Sequence, residues 1–273
     1  MESNAPTSSP TSSSANASDP RFVAYYAEQS ESEETRTRFQ SIRDRVIALV
    51  RQTRSGSDPL DVVDIGCGAG TQAMMWASLG HRLRGLDINA SLVEIARERA
   101  FAAGLEIQFD VGSATGLPYE DGSCDVSLIP ELLEHVQDWE RCLDEATRIL
   151  RHGGVLYLST TNVLCPHQNE FYLPAYSWYP RSLKRRYERL SVTTRPELVS
   201  YARFPAVHWF SFFQLRDFLA SRGLSCFDRF DMIDAQGLGL APRLAVGAVR
   251  KWTPFRWVGH ILTPYCVVFA VKR

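Results

Sequence analysis

Residues 62–71 read Val-Val-Asp-Ile-Gly-Cys-Gly-Ala-Gly-Thr, an apolar run that ends in three alternating glycines. A strand that stops in such a turn brings its backbone very close to a neighbour or a ligand. Glycine has no Cβ and adopts φ > 0 without strain, so the chain bends sharply there. The segment that follows has helical character, and the free N–H groups of a helix start favour a negatively charged group. Asp87 lies 21 residues after Gly66, at the end of a second apolar run containing Leu83 and Leu86. In a βαβ unit this spacing places a carboxylate at the tip of the neighbouring strand, within reach of ribose hydroxyls. Strand, turn, helix and distal acid together point to an adenosine-type cofactor.

The pattern repeats along the chain. Strands are expected at about 61–65, 82–87, 106–110, 124–129 and 155–160, with helices at about 70–79, 91–103 and 138–151. Asn89 or Ser91 can cap the second of these helices, and Gly104 suits its C-terminal end. A further helix at 32–52 carries Phe39, Ile42, Val46, Ile47 and Val50 on one side. Helix 211–222 and strands 224–232 and 266–271 follow a Pro-, Tyr- and Arg-rich stretch too long for a simple connection. The last two strands are expected to pair antiparallel at the sheet edge. The fold class is α/β: a Rossmann-like, seven-stranded, mostly parallel sheet with flanking helices and an inserted aromatic and basic lobe. The expected divisions are a disordered tail at 1–20, a cofactor-binding core at 21–162, the lobe at 163–215 and the rest of the sheet at 216–273.

Residues 1–20 are Ser, Thr, Ala, Asn and Pro with little charge, and lack the basic and apolar regions of a secretory signal. No apolar run reaches membrane-spanning length. The six cysteines form no C-x-x-C pair and suit free thiols in a reducing, cytoplasmic setting; no metal site is expected. A net charge of −1 gives no general attraction to nucleic acid.

The chain resembles class I S-adenosylmethionine-dependent methyltransferases. VVDIGCGAG (62–70), GLDIN (85–89), GSATGLPYEDGSCDV (112–126), LIPELLEHVQD (128–138) and LRHGGVLYLSTTN (150–162) resemble the successive motifs of that family. LLEHV with STTN looks closest to the ubiquinone-biosynthesis O-methyltransferases. The resemblance implies S-adenosyl-L-methionine as the methyl donor. It implies that Asp64 accepts the amino group of the methionine moiety, and that Gly66, Cys67, Gly68 and Gly70 form the surrounding turn. Asp87 would hold the ribose hydroxyls and Ile88 would lie against adenine. Ser113 stands where the family often has an aspartate that bonds the adenine amino group; its hydroxyl and the Ala114 N–H are the remaining groups there. Pro130 would supply a backbone contact, and Arg38 the partner of the methionine carboxylate.

His135 follows the fourth strand and has a near-neutral unperturbed pKa, which suits a general base. Glu131 and Glu134 share that segment. Each has a structural reading as well: a histidine or acid that holds the loop. The stretch 163–215 contains twelve aromatics interleaved with Arg181, Lys184, Arg185, Arg186 and Arg189. It suits the wall of an apolar acceptor site, an anionic membrane surface, or a small satellite core with a solvated basic face. The expected activity is methyl transfer, with O-methylation favoured, to a small-molecule, apolar or lipid-linked acceptor, at or near the inner face of a membrane. Two alternatives remain at this level. One is a nicotinamide-dependent oxidoreductase, disfavoured because the glycines run G-x-G-x-G rather than G-x-G-x-x-G. The other is a non-catalytic assembly protein on the same fold. Oligomeric state is left open.

Overall fold

In the computed structural model, residues 20–54, 56, 58–168, 170–199, 206–235 and 237–273 are described. The expected tail falls almost wholly outside them. The chain runs α1 (Pro20–Ser30), α2 (Glu33–Thr53), β1 (Asp61–Ile65), α3 (Thr71–Ala77), β2 (Arg82–Asp87), α4 (Ala90–Ala102), β3 (Ile107–Val111), β4 (Cys124–Pro130), α5 (Trp139–Ile149) and β5 (Leu150–Thr161). It continues through α6 (Arg181–Thr193), α7 (Phe212–Ala220), β6 (Leu224–Asp228), α8 (Leu240–Lys251), α9 (Thr253–Ile261) and β7 (Tyr265–Lys272).

The seven strands form one sheet in the order β3-β2-β1-β4-β5-β7-β6. β1 to β5 are parallel, and β7 runs antiparallel between β5 and β6. The expected antiparallel pairing of the last two strands is therefore present, but β7 is internal and β6 holds the edge. A dinucleotide-binding sheet runs 3-2-1-4-5-6. The antiparallel β7 sets this fold apart from it.

Alternate strand residues face opposite sides of a sheet, and the packing follows. Val62, Leu83, Phe109 and Val126 pack with Ile42 and Val46 of α2, Trp76 of α3 and Val93 of α4. Their neighbours Val63, Ile129, Leu156 and Val268 pack with Leu143 and Ile149 of α5 and Leu215 and Leu219 of α7. Helix ends match their caps: Ser32 Oγ accepts from Thr35 N, and Asn89 Oδ1 accepts from Ser91 N and Leu92 N.

The structure departs from the sequence reading in three places. β5 begins at Leu150 and passes through His152-Gly153-Gly154, which reads locally as a helix end. Pairing with β4 from Cys124↔Leu150 onward, across a register shift, overrides that signal. The stretch after β5 contains α6. Phe171 and Tyr176 stack there at 3.9 Å, with Leu198 and Val199 buried beside them. Phe171, Tyr176, Tyr179, Tyr187 and Trp209 thus form a satellite core, Phe210, Phe212 and Phe213 join the main core, and Tyr172 and Trp178 stay exposed. Finally, α8 and α9 stand where only a connection was expected.

Two glycines show how tightly the turn after β1 is set into this frame. Gly70 has φ 78°, and a Cβ there would lie 2.8 Å from Ala96 Cβ and 3.0 Å from Phe109 Cζ. Gly104 has φ 66° with open space around it. Gly70→Ala is expected to cost about 2–5 kcal/mol, from backbone strain plus overpacking. Gly104→Ala carries the strain alone, about 1–2 kcal/mol. Urea midpoints of the two variants measure the difference.

Candidate functional site

The carboxyl ends of β1, β2, β3 and β4 converge on the turn after Ile65, beside the point where the strand order reverses between β1 and β4. Open α/β sheets bind ligands at such points. Gly66 and Gly68, with φ 78° and 52°, bend the turn. The Leu86 carbonyl accepts from Gly66 N at 2.7 Å and Cys67 N at 3.1 Å. Asp87 Oδ2 accepts from Gly68 N at 2.9 Å, and its Oδ1 accepts from Asn89 N at 2.8 Å. These N–H groups are therefore used inside the protein. Gly66 and Gly68 can meet a ligand through their carbonyls rather than through the N–H groups that the sequence reading emphasised. Gly70 faces inward, against α4 and β3.

Asp64 is 1% exposed, and neither carboxylate oxygen has a hydrogen-bond partner. Burial, then the nearby Asp87 charge, pushes its pKa up to about 7, while the Ala73 N–H dipole pulls the other way. A buried carboxylate without a partner is costly, so this position fits a cationic group. Burial also raises Asp87, against the N–H groups of Asn89, Gly68 and Ile88. Ile88 presents an exposed apolar side chain next to Asp87. Val111, paired with Asp87 across β2 and β3, is exposed as well, and the sequence reading passed over it.

Ser113 is exposed and its Oγ lies 2.8 Å from Thr115 Oγ1, while it also accepts from Thr115 N. The hydroxyl is engaged in its own turn. Ala114 is half-buried beside it. Tyr26 of α1 lies over the turn, since a Cβ on Gly68 would come within 3.0 Å of its ring. Leu132 closes on Gly66 from the other side in the same way.

Past β4 the structure joins groups that are remote in sequence. Pro130 is the last residue of the strand and pairs with Ser159. Glu131 follows with φ 51°, an uncommon conformation for a residue with a side chain. Its carboxylate forms an ion pair with Arg38 of α2, and Arg38 Nε is buried with no partner. The expected cofactor cation and the expected catalytic acid thus bind each other. His135 ends a single 3₁₀ turn, Leu133–His135, and is exposed.

Glu134 and Glu170 add to this segment. Glu134 is buried, accepts from Thr160 Oγ1 at 2.8 Å, and is pushed up to about 8, chiefly by burial. Its backbone carbonyl accepts from Val207 N and His208 N, tying the lobe to the end of β4. Glu170 belongs to the lobe. Burial and the negative charges of Glu134 and Glu131 push it up to about 7, against the influence of His135. Nothing in local spacing marks Glu170, because only the folded lobe brings it to β4. Two carboxyl groups that titrate near neutrality, beside an exposed histidine, can take up or release a proton at physiological pH.

Glu134 has a measurable signature. Its carboxyl ionises near 4.5 when unfolded and near 8 when folded. Between those values the native chain keeps a proton that the unfolded chain has lost, so stability falls as pH rises through the window. Glu134→Gln keeps an acceptor for Thr160 and removes that loss. The variant is expected to melt higher than wild type above pH 8, by about 2–4 °C for each kcal/mol recovered. At about pH 5 the two should nearly coincide. Thermal melts across this range check it.

Residues 63–158, which contain this turn and the end of β4, match the family described as a methyltransferase domain. The chain is 31% identical to a ubiquinone biosynthesis O-methyltransferase of Chelativorans sp. over 44% of its length and 49% of the relative's. It is 38% identical to norajmaline N-methyltransferase of Rauvolfia serpentina over 37% of its length and 35% of the relative's. These alignments span half or less of each relative. Among solved structures, phosphoethanolamine N-methyltransferase 2 of Haemonchus contortus, in complex with phosphomonomethylethanolamine and S-adenosylhomocysteine, has the same fold. It aligns with TM-score 0.52 and 15% identity over 84% of this chain and 52% of that one. The stretch that matches a methyltransferase domain thus carries the turn after β1 and the end of β4, within a sheet of order 3-2-1-4-5-7-6.

Proposed function

We propose that this chain transfers a methyl group from S-adenosylmethionine to an apolar or lipid-linked small molecule, most naturally at an oxygen. One observation carries the reading. A buried, unpartnered carboxylate, Asp64, stands beside a second one, Asp87, at a glycine turn. A ligand with an ammonium group and a vicinal diol satisfies both.

When bound, S-adenosylmethionine supplies a methyl group on a sulfonium, already a good leaving group. The protein then has to hold the donor, align the acceptor and deal with the acceptor's proton. Asp64 accepts from the ammonium, with the Gly66 and Gly68 carbonyls beside it. Asp87 keeps acceptor capacity for the ribose hydroxyls beyond the two N–H groups it already binds. Ile88 packs on the adenine face, and Ala114 N–H with Ser113 borders its edge. Arg38 Nε, buried and without a partner, faces the need of the methionine carboxylate, and Pro130 closes the end of β4. His135 is the base for a hydroxyl acceptor. Glu131 positions Arg38, and Glu134 and Glu170 set the charge around His135. The 163–215 lobe, tied to β4 through the Glu134 carbonyl, forms the acceptor wall.

The Rauvolfia relative is named for N-methylation, which supports a nitrogen acceptor as a second reading. An amine attacks without prior loss of a proton, so the two readings separate on the base. Asp87→Ala is expected to weaken S-adenosylmethionine binding by about 1.5–3 kcal/mol, roughly ten- to a hundredfold in Kd, by isothermal titration calorimetry. Unchanged affinity, or tight binding of NAD(P)H in its place, defeats the cofactor assignment. With an oxygen acceptor, His135→Ala should slow methylation by about 10²–10⁴-fold with cofactor affinity intact. A rate that does not change assigns His135 to loop structure.

A further inference from the structure

The segment between β6 and β7 carries a surface that the cofactor site does not use. α8 has no buried residue, and in α9 only His260 is buried. Leu240 is 75% exposed and Leu262 is 74% exposed; Leu244, Trp252, Phe255 and Val258 are also exposed. Several of these recur at three- and four-residue spacing (240 and 244; 255, 258 and 262), which gathers them on one side of each helix. A patch of this kind on a lone chain marks a surface made for contact.

The pair is firmly mounted. Asp228, at the end of β6, accepts from Arg256 Nε at 2.7 Å and lies 3.0 Å from His260 Nε2. Arg256 also pairs with Asp231. Asn162, just past β5, donates to the carbonyls of His260 and Thr263. Trp257 stacks on Phe213 of α7 at 4.3 Å. The apolar side chains are therefore held outward by a rigid base.

Charge selects the partner. α8 and α9 contain no acid; Arg256 is taken by Asp228 and Asp231, which leaves Arg243, Arg250 and Lys251 as the cations of the two helices without an acidic partner among the described residues. Arg243 and Lys251 are exposed on α8. Short amphipathic helices with aromatic and aliphatic side chains beside cations lie in the interface of anionic bilayers. No helix among the described residues is long and apolar enough to cross a membrane, so the contact is peripheral. β6 is parallel to β5, and both end on the carboxyl edge of the sheet, where Thr161 pairs with Tyr265. The two helices leave from the same edge as the turn after β1.

We propose that α8 and α9 dock the protein on an anionic lipid surface, with the carboxyl edge of the sheet turned toward the bilayer. The sequence reading placed membrane contact on the basic 163–215 lobe. The structure favours α8 and α9, because all described lobe aromatics but Tyr172 and Trp178 pack into the satellite or main core, and Lys184 donates to the Ser177 carbonyl.

The full chain is tested by flotation with phosphatidylcholine vesicles, with and without phosphatidylglycerol. Wild type should float with the anionic vesicles. Leu244→Glu/Phe255→Glu should lose binding by about tenfold or more, and Arg243→Gln/Lys251→Gln should lose the preference for phosphatidylglycerol. Arg185→Glu/Arg186→Glu should bind as wild type. All side chains changed are exposed, and unchanged melting temperature and S-adenosylmethionine affinity confirm intact folding. No flotation of wild type, or full binding by Leu244→Glu/Phe255→Glu, overturns the proposal. So does a dimer in sedimentation equilibrium that this variant dissolves, since the patch would then join two copies. None of these outcomes bears on whether the protein transfers methyl groups.

Discussion

The Leu86 carbonyl holds the centre of this molecule. It accepts from both Gly66 and Cys67, and so ties the turn after β1 to the end of β2. Asp87, the next residue, then reaches back to Gly68 N. Side chains at both glycine positions would strain this path, since both have φ well above zero. The bonds use up the turn's first three N–H groups, so the turn offers carbonyls rather than the N–H groups that a phosphate seeks at a helix start.

The second organising feature is the end of β4, where three carboxyl groups and a histidine come together across two parts of the chain. Glu131 is held by Arg38, Glu134 by Thr160, and Glu170 arrives with the lobe. Burial, and behind it the neighbouring negative charges, raises Glu134 to about 8 and Glu170 to about 7, whereas exposed, isolated carboxylates would stay ionised. The same burial costs stability at higher pH, which is common where protons are to be moved. The lobe thus brings one of the titrating groups to the end of β4.

On the far side of β5 the chain shows the opposite arrangement. Asp228 is fully buried yet has Arg256, His260 and the N–H groups of Phe230 and Asp231 around it. Its pKa is held down near 2. Asp64 and Asp228 are both buried aspartates at strand ends. One is satisfied from within the protein and anchors α9; the other is buried with no hydrogen-bond partner on either carboxylate oxygen.

Much of this was legible in the residues alone. Alternating apolar runs and glycine turns specify β1 to β4 and the helices between them, because strand and helix periods and φ > 0 turns are local properties. The place of Asp87 at the end of β2 also follows from spacing within one βαβ unit, whereas Asp64 and Ile88 were singled out by the resemblance. The placement of β7 inside the sheet, the start of β5 at Leu150, and the helices α6, α8 and α9 were not legible. Each depends on pairing or packing with distant segments, and at β5 a local glycine signal was overridden by pairing with β4. Tertiary structure alone brought Glu131 to Arg38 and Glu170 to Glu134, left Asp64 without a partner, and turned the apolar sides of α8 and α9 outward. Burial and long-range electrostatics exist only once the chain is folded, and no residue's neighbours in sequence encode them.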